Sequence, residues 1–298
     1  MTAGNLNLRG AAAALGLCAL WGGVAPTVKI AVTGMPPLAA AAARFAIGLL
    51  ALWLWCRLQA VPIHLPRGAR LAVFLYSLVF VGQIACVNQG VAWSLASHVV
   101  VLVNTSPLFV ALLAHFFLTY DRLSFRKLAG LAVAFAGVAY LFLSKAPEGA
   151  SVAGDFLGLF SGFLLAVLHV TSKRLVARVS PVQLVLHQFL WGVPIFVILS
   201  ALLEPHSYRI TLPVALALLY QGIGVAAFCF VSWLRLLQRF PASQLASVQF
   251  TIPVFGVILS HWLLGEPLTA SLLVALPAVA LGIWLVSRGG AREVGVGG

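Results

Sequence analysis

Residues 96–118, ASHVVVLVNTSPLFVALLAHFFL, and residues 242–264, ASQLASVQFTIPVFGVILSHWLL, are two versions of one segment. In register they pair Ala96 with Ala242, Ser97 with Ser243, Thr105 with Thr251, Pro107 with Pro253, Phe109 with Phe255, Leu113 with Leu259, His115 with His261 and Leu118 with Leu264. Shared apolar composition would align Leu with Val, but not Thr, Pro and His at fixed spacing, so the chain carries an internal repeat. The register slips by one residue downstream, where Asp121, Leu123 and Ser124 stand opposite Glu266, Leu268 and Thr269, and Gly137 stands opposite Gly282. Upstream, Lys29 stands opposite Lys173 and Tyr76 opposite Tyr220.

The segment is too apolar for a water-soluble fold, and so is the rest of the chain. Hydrophobic residues make up 62% and charged residues 8%, with a mean hydropathy of +1.08, against about 25% charged in ordinary soluble domains. Apolar runs fall at 10–32, 37–57, 69–94, 97–119, 125–143, 154–172, 181–203, 212–238, 241–264 and 269–287, each near the length of about 20 residues that a membrane-spanning helix needs. They lack the strict alternation of barrel strands, and backbone groups in lipid must be satisfied within the segment, so helices are expected throughout. The expected fold class is an all-α membrane protein of ten transmembrane helices. Its two five-helix repeats occupy 10–143 and 154–287, with a short cytoplasmic tail at 288–298. Five is odd, so the second repeat enters the membrane upside down, the inverted architecture of many secondary transporters.

Basic residues test the span count, because a wrong number would scramble their alternation between sides. One side receives Arg9, Arg57, Arg67, Arg70, Arg122, Arg126, Lys127, Lys173, Arg174, Arg178, Arg235, Arg239, Arg288 and Arg292; the other receives only Lys29, Lys145 and Arg209. Both termini are therefore expected in the cytoplasm. The same positions explain the formal charge of +12 without nucleic acid. The apolar stretch after Arg9 runs through Trp21 and Pro26 to Val32, long enough to span and so kept as a helix rather than a signal peptide. Cys18, Cys56, Cys86 and Cys229 lack a CxxC pair or metal-ligand spacing and read as small buried hydrophobes.

Arg44 alone lies inside a span, where a charge costs roughly 2.5–3.5 kcal/mol on insertion scales. With Lys29 it forms a candidate cationic lining for an anionic or carboxylate-bearing solute. Snorkelling of Lys29 and bonding of Arg44 to helix-end carbonyls are the structural alternatives. Tyr76, Gln83, Asn88, Gln89, Asn104, Thr105, Tyr220, Gln221, Gln244, Gln249 and Thr251, beside the aromatics Trp21, Trp93 and Trp233, suit a mixed polar and apolar cavity for a small organic molecule; interhelical hydrogen bonding is the alternative for any one of them. Pro107 and Pro253 interrupt two spans at equivalent places, a pointer to a site or hinge. His115 and His261 are paired and titratable. Asp121, Glu148, Asp155, Glu204, Glu266 and Glu293 all fall in loops or at helix ends, so no mid-span carboxylate is expected. No GxxxxGK[ST], HExxH or GxSxG occurs, so no metal, cofactor or catalytic residue is expected, and a membrane-embedded enzyme is the weaker class.

From about Leu15 to Val286 the chain resembles the EamA family of the drug/metabolite transporter superfamily. The resemblance rests on Leu20-Trp21-Gly22-Gly23 with Lys29, Arg44-Phe45, Pro107-Leu108-Phe109, Arg122-Leu123-Ser124, Gly130, Gly137, and Pro253 through Gly265-Glu266-Pro267-Leu268-Thr269. Tyr120-Asp121 stands where the family usually has Gly-Glu, and Pro277 where it tends to have small residues. The resemblance implies a ten-helix inner-membrane carrier, often an exporter of metabolites, amino acids or toxic compounds. The expectation is a secondary transporter of a small organic metabolite, amino acids among the candidates, exporting it by alternating access around a central cavity between the repeats. Efflux of toxic or drug-like compounds by the same fold, or a non-transporting partner subunit, are the other readings. Expected partners are the solute and membrane lipid, without nucleic acid, for a monomer or homodimer.

Overall fold

The computed structural model describes residues 8–117, 125–145, 147–175, 178–240, 248–249 and 251–289. Within them every apolar run is helical: α1 (Leu8–Gly22), α2 (Val24–Ala31), α3 (Pro37–Leu58), α4 (Arg70–Trp93, after a 3-10 turn at Arg67–Ala69), α5 (Ala96–Val103), α6 (Ser106–Phe117) and α7 (Phe125–Leu143) in the first half. The second half holds α8 (Val152–Leu175), α9 (Pro181–Leu203), α10 (Leu212–Leu219), a π-helical segment (Tyr220–Cys229), α11 (Phe230–Arg239), α12 (Ile252–Leu264) and α13 (Ala270–Gly289). No strand occurs among the described residues. Six helices are long and apolar enough to cross a membrane, and four shorter apolar helices accompany them. At 1.5 Å per residue, the 24 residues of α4 reach about 36 Å, against about 30 Å of hydrocarbon.

Side-chain exposure also fits lipid as the surrounding medium. Leu50, Leu54, Leu71, Leu75, Val197, Ile198, Leu202, Leu216, Phe228 and Leu273 all lie exposed on helix surfaces, a load of apolar surface that suits hydrocarbon and not water. The chain is a multi-pass membrane protein.

Four of the apolar runs are not single α-helices. The first breaks at Gly23, the fourth at Asn104–Thr105, the eighth widens into the π segment, and the ninth restarts at Ile252 after a turn at Thr251. Across the halves, α3 packs on α9, α5 on α12 and α7 on α13, while α4 packs on α8, and α2 packs on α10. One apolar cluster gathers Val28, Val99, Leu102, Leu108, Leu131 and Val279, and a second, aromatic one gathers Phe45, Phe80, Phe189 and Phe196.

The loops fall into two groups. At one end, here the acidic end, Glu204 and Glu266 meet the starts of α3 and α5, and Asp155 opens α8 beside the end of α4. At the other, the basic end, Arg57 lies over Trp53 and Arg235 over Trp55, at 5.3 and 5.7 Å from the ring centroids.

The α7–α13 contact shows how close the halves come. A β-carbon on Gly137 would meet Ala278 Cβ at 2.6 Å, and one on Gly282 would meet Ala134 Cβ at 2.5 Å. Lipid supplies little hydrophobic drive for helix association, so this backbone proximity is what van der Waals attraction has to work with. Gly282→Val is expected to lower stability by about 1–3 kcal/mol, the usual cost of overpacking. Gly16→Ala, inside α1 at a position with no atom within 4 Å of the new β-carbon, is expected to cost nothing and to gain up to about 1 kcal/mol from helix propensity. Unfolding midpoints of the two variants in one detergent check both.

Candidate functional site

The two helix breaks that the repeat pointed to are built alike. Thr105 Oγ1 donates to the Leu102 carbonyl at 2.6 Å, and Thr251 Oγ1 donates to the Val248 carbonyl at 2.7 Å, three residues back in each case. Each threonine ends a helical turn, and the next helix begins one residue later with proline in its second position: Pro107 in α6 and Pro253 in α12. The sequence placed an interruption of the span at each proline, with a backbone hydrogen bond removed there; the break lies just ahead of it. Each proline thus opens a new helix, where its missing N–H would have no intrahelical partner anyway. The side chain of Asn104 turns back onto the Val100 carbonyl at 2.7 Å. Gln249 is half-buried just before the second break.

Arg44 sits seven residues into α3, about 10 Å along it, and is 4% exposed. Its Nη1 donates to Gln221 Oε1 at 3.1 Å. Arg44 Nε and Gln221 Nε2 are both buried without a hydrogen-bond partner, and no described carboxylate pairs with the guanidinium. Small residues allow this meeting: a β-carbon on Gly222 would stand 2.8 Å from the Arg44 carbonyl oxygen, and one on Gly48 would stand 2.9 Å from Ala226 Cβ. Gln221 lies on the π segment, a helix type that often accompanies functional sites. Two unsatisfied donors around one buried cation form an anion-binding arrangement, and a carboxylate is the anion whose planar pair of oxygens matches a guanidinium.

An aromatic run leads away from Arg44. The guanidinium lies 4.4 Å from the Phe45 ring centroid. Phe45 stacks with Phe196 and tilts against Phe189; Phe189 meets Phe230, Phe230 meets Trp21 edge-on, and Trp21 meets Trp233 at 5.4 Å. Tyr220, next to Gln221, donates its hydroxyl to the Leu20 carbonyl. Of the residues singled out from sequence, the structure thus brings Trp21, Arg44, Tyr220 and Gln221 to one region.

The others take different partners. Lys29 donates to the carbonyls of Val91, Ala92 and Ser94, at 2.7, 3.4 and 2.6 Å, and so caps the end of α4. The carbonyl-bonding alternative considered for Arg44 is the one realised by Lys29. Gln83 donates to Ser161 Oγ, joining α4 to α8, and Asn88 donates to the Pro37 carbonyl. Tyr76 packs at the basic end near Val73, Leu175 and Leu184. His261 Nδ1 lies 2.7 Å from the Glu266 carbonyl oxygen. Gln244, Tyr120, Asp121 and the tail from 290 lie outside the described residues, as do the side chains of His115 and Lys173.

Sequence reading passed over the acidic end. Neither α3 nor α5 has a side-chain cap of its own. Glu204 accepts from the Leu38 and Ala39 N–H groups at 2.7 and 3.1 Å, and Glu266 from Ala96 and Ser97 at 2.7 and 2.8 Å. Carboxylates from the second half thus satisfy helix starts in the first, with the dipole in their favour. Gly265 adopts φ 68 at the end of α12 and turns the chain back toward α5. An available signal was the Gly265-Glu266 step after an apolar run, a helix stop followed by an acid.

A cavity of about 580 Å³ opens at the acidic end between Pro36, Gln89, Trp93, Glu204 and Arg209. A second of about 380 Å³ lies between α1 and the α10–α11 rod, bordered by Leu17, Leu20, Phe228 and Arg235. The second reaches Leu20, whose carbonyl holds Tyr220.

Comparison with known proteins places this geometry in context. Residues 8–143 and 152–288 each match the model of the EamA-like transporter family. An uncharacterized transporter of Archaeoglobus fulgidus is 27% identical over 90% of this chain and 95% of its own length. A probable amino-acid metabolite efflux pump of Salmonella typhimurium is 26% identical over 91% of this chain and 92% of its own. A probable terminal-alkyne amino-acid exporter of Streptantibioticus cattleyicolor is 28% identical over 63% of this chain and 62% of its own. One solved crystal structure superposes with a TM-score of 0.70 at 20% identity, covering 95% of this chain and 99% of that one, so the two share a fold.

Two substitutions are expected to move stability in opposite directions. Glu266→Ala strips the cap from α5 and is expected to cost about 1–2 kcal/mol. Arg44→Met replaces a buried, uncompensated cation with an apolar chain of similar length, and is expected to gain about 1 kcal/mol or more. Thermal unfolding of both variants beside wild type in detergent checks the signs.

Proposed function

The chain belongs to the EamA-like transporter family, and on that premise we propose that it exports a small organic metabolite bearing a carboxylate, an amino acid being the favoured class, by alternating access. It is a membrane transporter; the solute and the mechanism are the proposal. The reading rests on one observation above others. Arg44 is buried between the halves with no described carboxylate partner, and the amide nitrogen of Gln221 beside it is equally unpartnered. Burying such a cation is costly, and a site that meets its carboxylate only during transport would repay the cost at that step. Tyr220 and Trp21 complete the lining, and the aromatic run from Phe45 to Trp233 receives the rest of the solute. Among the described residues no acid pairs with Arg44 or stands ready there for an ammonium, so carbonyls and aromatic faces take that role.

The proposed architecture is ten spans in two repeats, 10–143 and 154–287, inverted relative to one another in the inner membrane, with both termini cytoplasmic and the acidic end outside. Support comes from the six long and four shorter apolar helices, from the matched Thr105 and Thr251 breaks, and from the asymmetry of basic residues. The two halves rock about the breaks ahead of Pro107 and Pro253. The Salmonella typhimurium relative is named a probable amino-acid metabolite efflux pump and the Streptantibioticus cattleyicolor relative a probable terminal-alkyne amino-acid exporter, which favours amino acids and their derivatives over drug-like compounds.

The test is counterflow in proteoliposomes containing this chain alone, loaded with unlabelled solute and presented with labelled solute outside. Wild type is expected to exchange carboxylate-bearing amino acids and not their amides. Arg44→Met is expected to lose about tenfold or more, as expected when a charge-assisted hydrogen bond worth about 1.5–3 kcal/mol is removed. Exchange of neutral or cationic drug-like compounds that is indifferent to Arg44→Met would overturn the reading.

A further inference from the structure

The turn between α4 and α5 carries a buried polar group of three that transport does not account for. Ser94 Oγ donates to Asp155 Oδ1 at 2.5 Å, and His98 Nδ1 lies 3.0 Å from Asp155 Oδ2. Ser94, His98 and Asp155 are 0%, 2% and 5% exposed, and His98 Nε2 is buried without a partner. Tight packing makes the contact possible: a β-carbon on Gly154 would stand 2.9 Å from the Ser94 nitrogen, so the start of α8 lies against the end of α4.

The charges around His98 are those that a proton on it would meet. Lys29 on α2 donates to the Ser94 carbonyl, and Glu266, ahead of α13, caps the turn of helix that bears His98. On α12 the titratable group is His261, whose Nδ1 meets the Glu266 carbonyl. On α4 no acid or base occurs from Val87 to Ser94; Cys86 and Tyr76 lie further down, and Arg70 at its far end. His115 on α6, Arg288 on α13, and His169, Lys173 and Arg174 on α8 lie toward the opposite ends of those helices, while Lys145 and Glu148 in the preceding loop are exposed. Among the described residues the nearby charged set is thus the half-buried Lys29 with two buried carboxylates, Asp155 and Glu266. It carries one uncompensated negative charge if His98 is neutral and balances if His98 is an imidazolium. Buried charges persist when paired, and histidine is the side chain that supplies such a charge between about pH 5 and 8.

We infer that Ser94, His98 and Asp155 form a proton-binding site at the acidic end, in which His98 keeps its Nδ1–H on Asp155 and takes up a second ring proton, on Nε2, while the α4–α5 turn is closed on α8. Loss of that proton leaves Asp155 uncompensated beside Glu266 and favours a parted, hydrated turn. Protonation therefore stabilises closure of this end and deprotonation its opening.

Two measurements test the site. Proton uptake by purified protein is followed as pH falls from about 8 to about 5.5, with His98→Gln, which keeps a donor toward Asp155, beside wild type; the variant is expected to take up about one proton fewer per chain. Asp155→Asn is expected to reduce that uptake over the same range, because the imidazolium has lost its partner. Equal uptake by wild type and His98→Gln, or uptake unchanged by Asp155→Asn, overturns the proposal. Counterflow at equal pH on both sides is expected to slow several-fold over that range, up to about tenfold per unit, in wild type and to stay flat in His98→Gln; a retained slope in the variant also overturns it. Uptake requires no solute, so its result stands apart from the carrier reading, which fails when wild type exchanges nothing at any pH.

Discussion

A helix that ends inside an apolar bundle leaves N–H or C=O groups that no water can reach, and much of this structure consists of answers to that constraint. The starts of α3 and α5 are met by Glu204 and Glu266, and the end of α4 by the Lys29 ammonium. At the two mid-bundle breaks, the hydroxyls of Thr105 and Thr251 take up carbonyls, and proline fills a position that needs no N–H. The threonine and proline answers are local, and Lys29 caps α4 within the first half; Glu204 and Glu266 come from the second half, so satisfying those two helix starts also fastens one half of the protein to the other.

The fastening is uneven, and the unevenness bears on transport. At the acidic end, Lys29, Glu204, Glu266, Asp155 and His98 make a dense set of charge-assisted contacts. Deeper in the bundle the halves meet through small residues, Gly48 on α3 with Gly222 and Ala226 on the π segment. Such surfaces gain only van der Waals contact. Arg44 interrupts this dry seam as a single cation with donors to spare, so the polar capacity of the interior is concentrated at one point. The Ser94–His98–Asp155 set at one end and the unpartnered Arg44 at depth are the two places where, on the proposed readings, charge favours one arrangement over another.

Much of the fold was legible because its causes are local or periodic. Ten apolar runs, their basic flanks and the Thr-Pro-Phe-His spacing of the repeat lie in the chain itself, and where a run begins within the described residues its helix starts within a few residues of the boundary read there. The candidate site was legible in part. Arg44 stood out as a charge within a span, and Tyr220 and Gln221 as polar residues in an apolar run, but nothing local told Gln221 from Gln83. Their difference lies in partners 177 and 78 residues away. The Gly154, Gly158, Gly162 spacing on α8 was a small-residue signature that reading from charge and repeat passed over.

The sequence by itself determined that this chain is a helical membrane protein with an internal repeat, and that Arg44 is an expensive residue. Hydropathy, charge and spacing are properties of the residues, whatever they touch. Only the tertiary structure decided that Lys29 closes a helix while Arg44 keeps open valences, that Pro107 and Pro253 begin helices instead of bending them, and that Asp155 at a helix end is buried against His98. Each of those outcomes depends on whether a polar atom finds a partner. In a medium that offers no water, the partner is supplied by whichever distant segment the packing brings near.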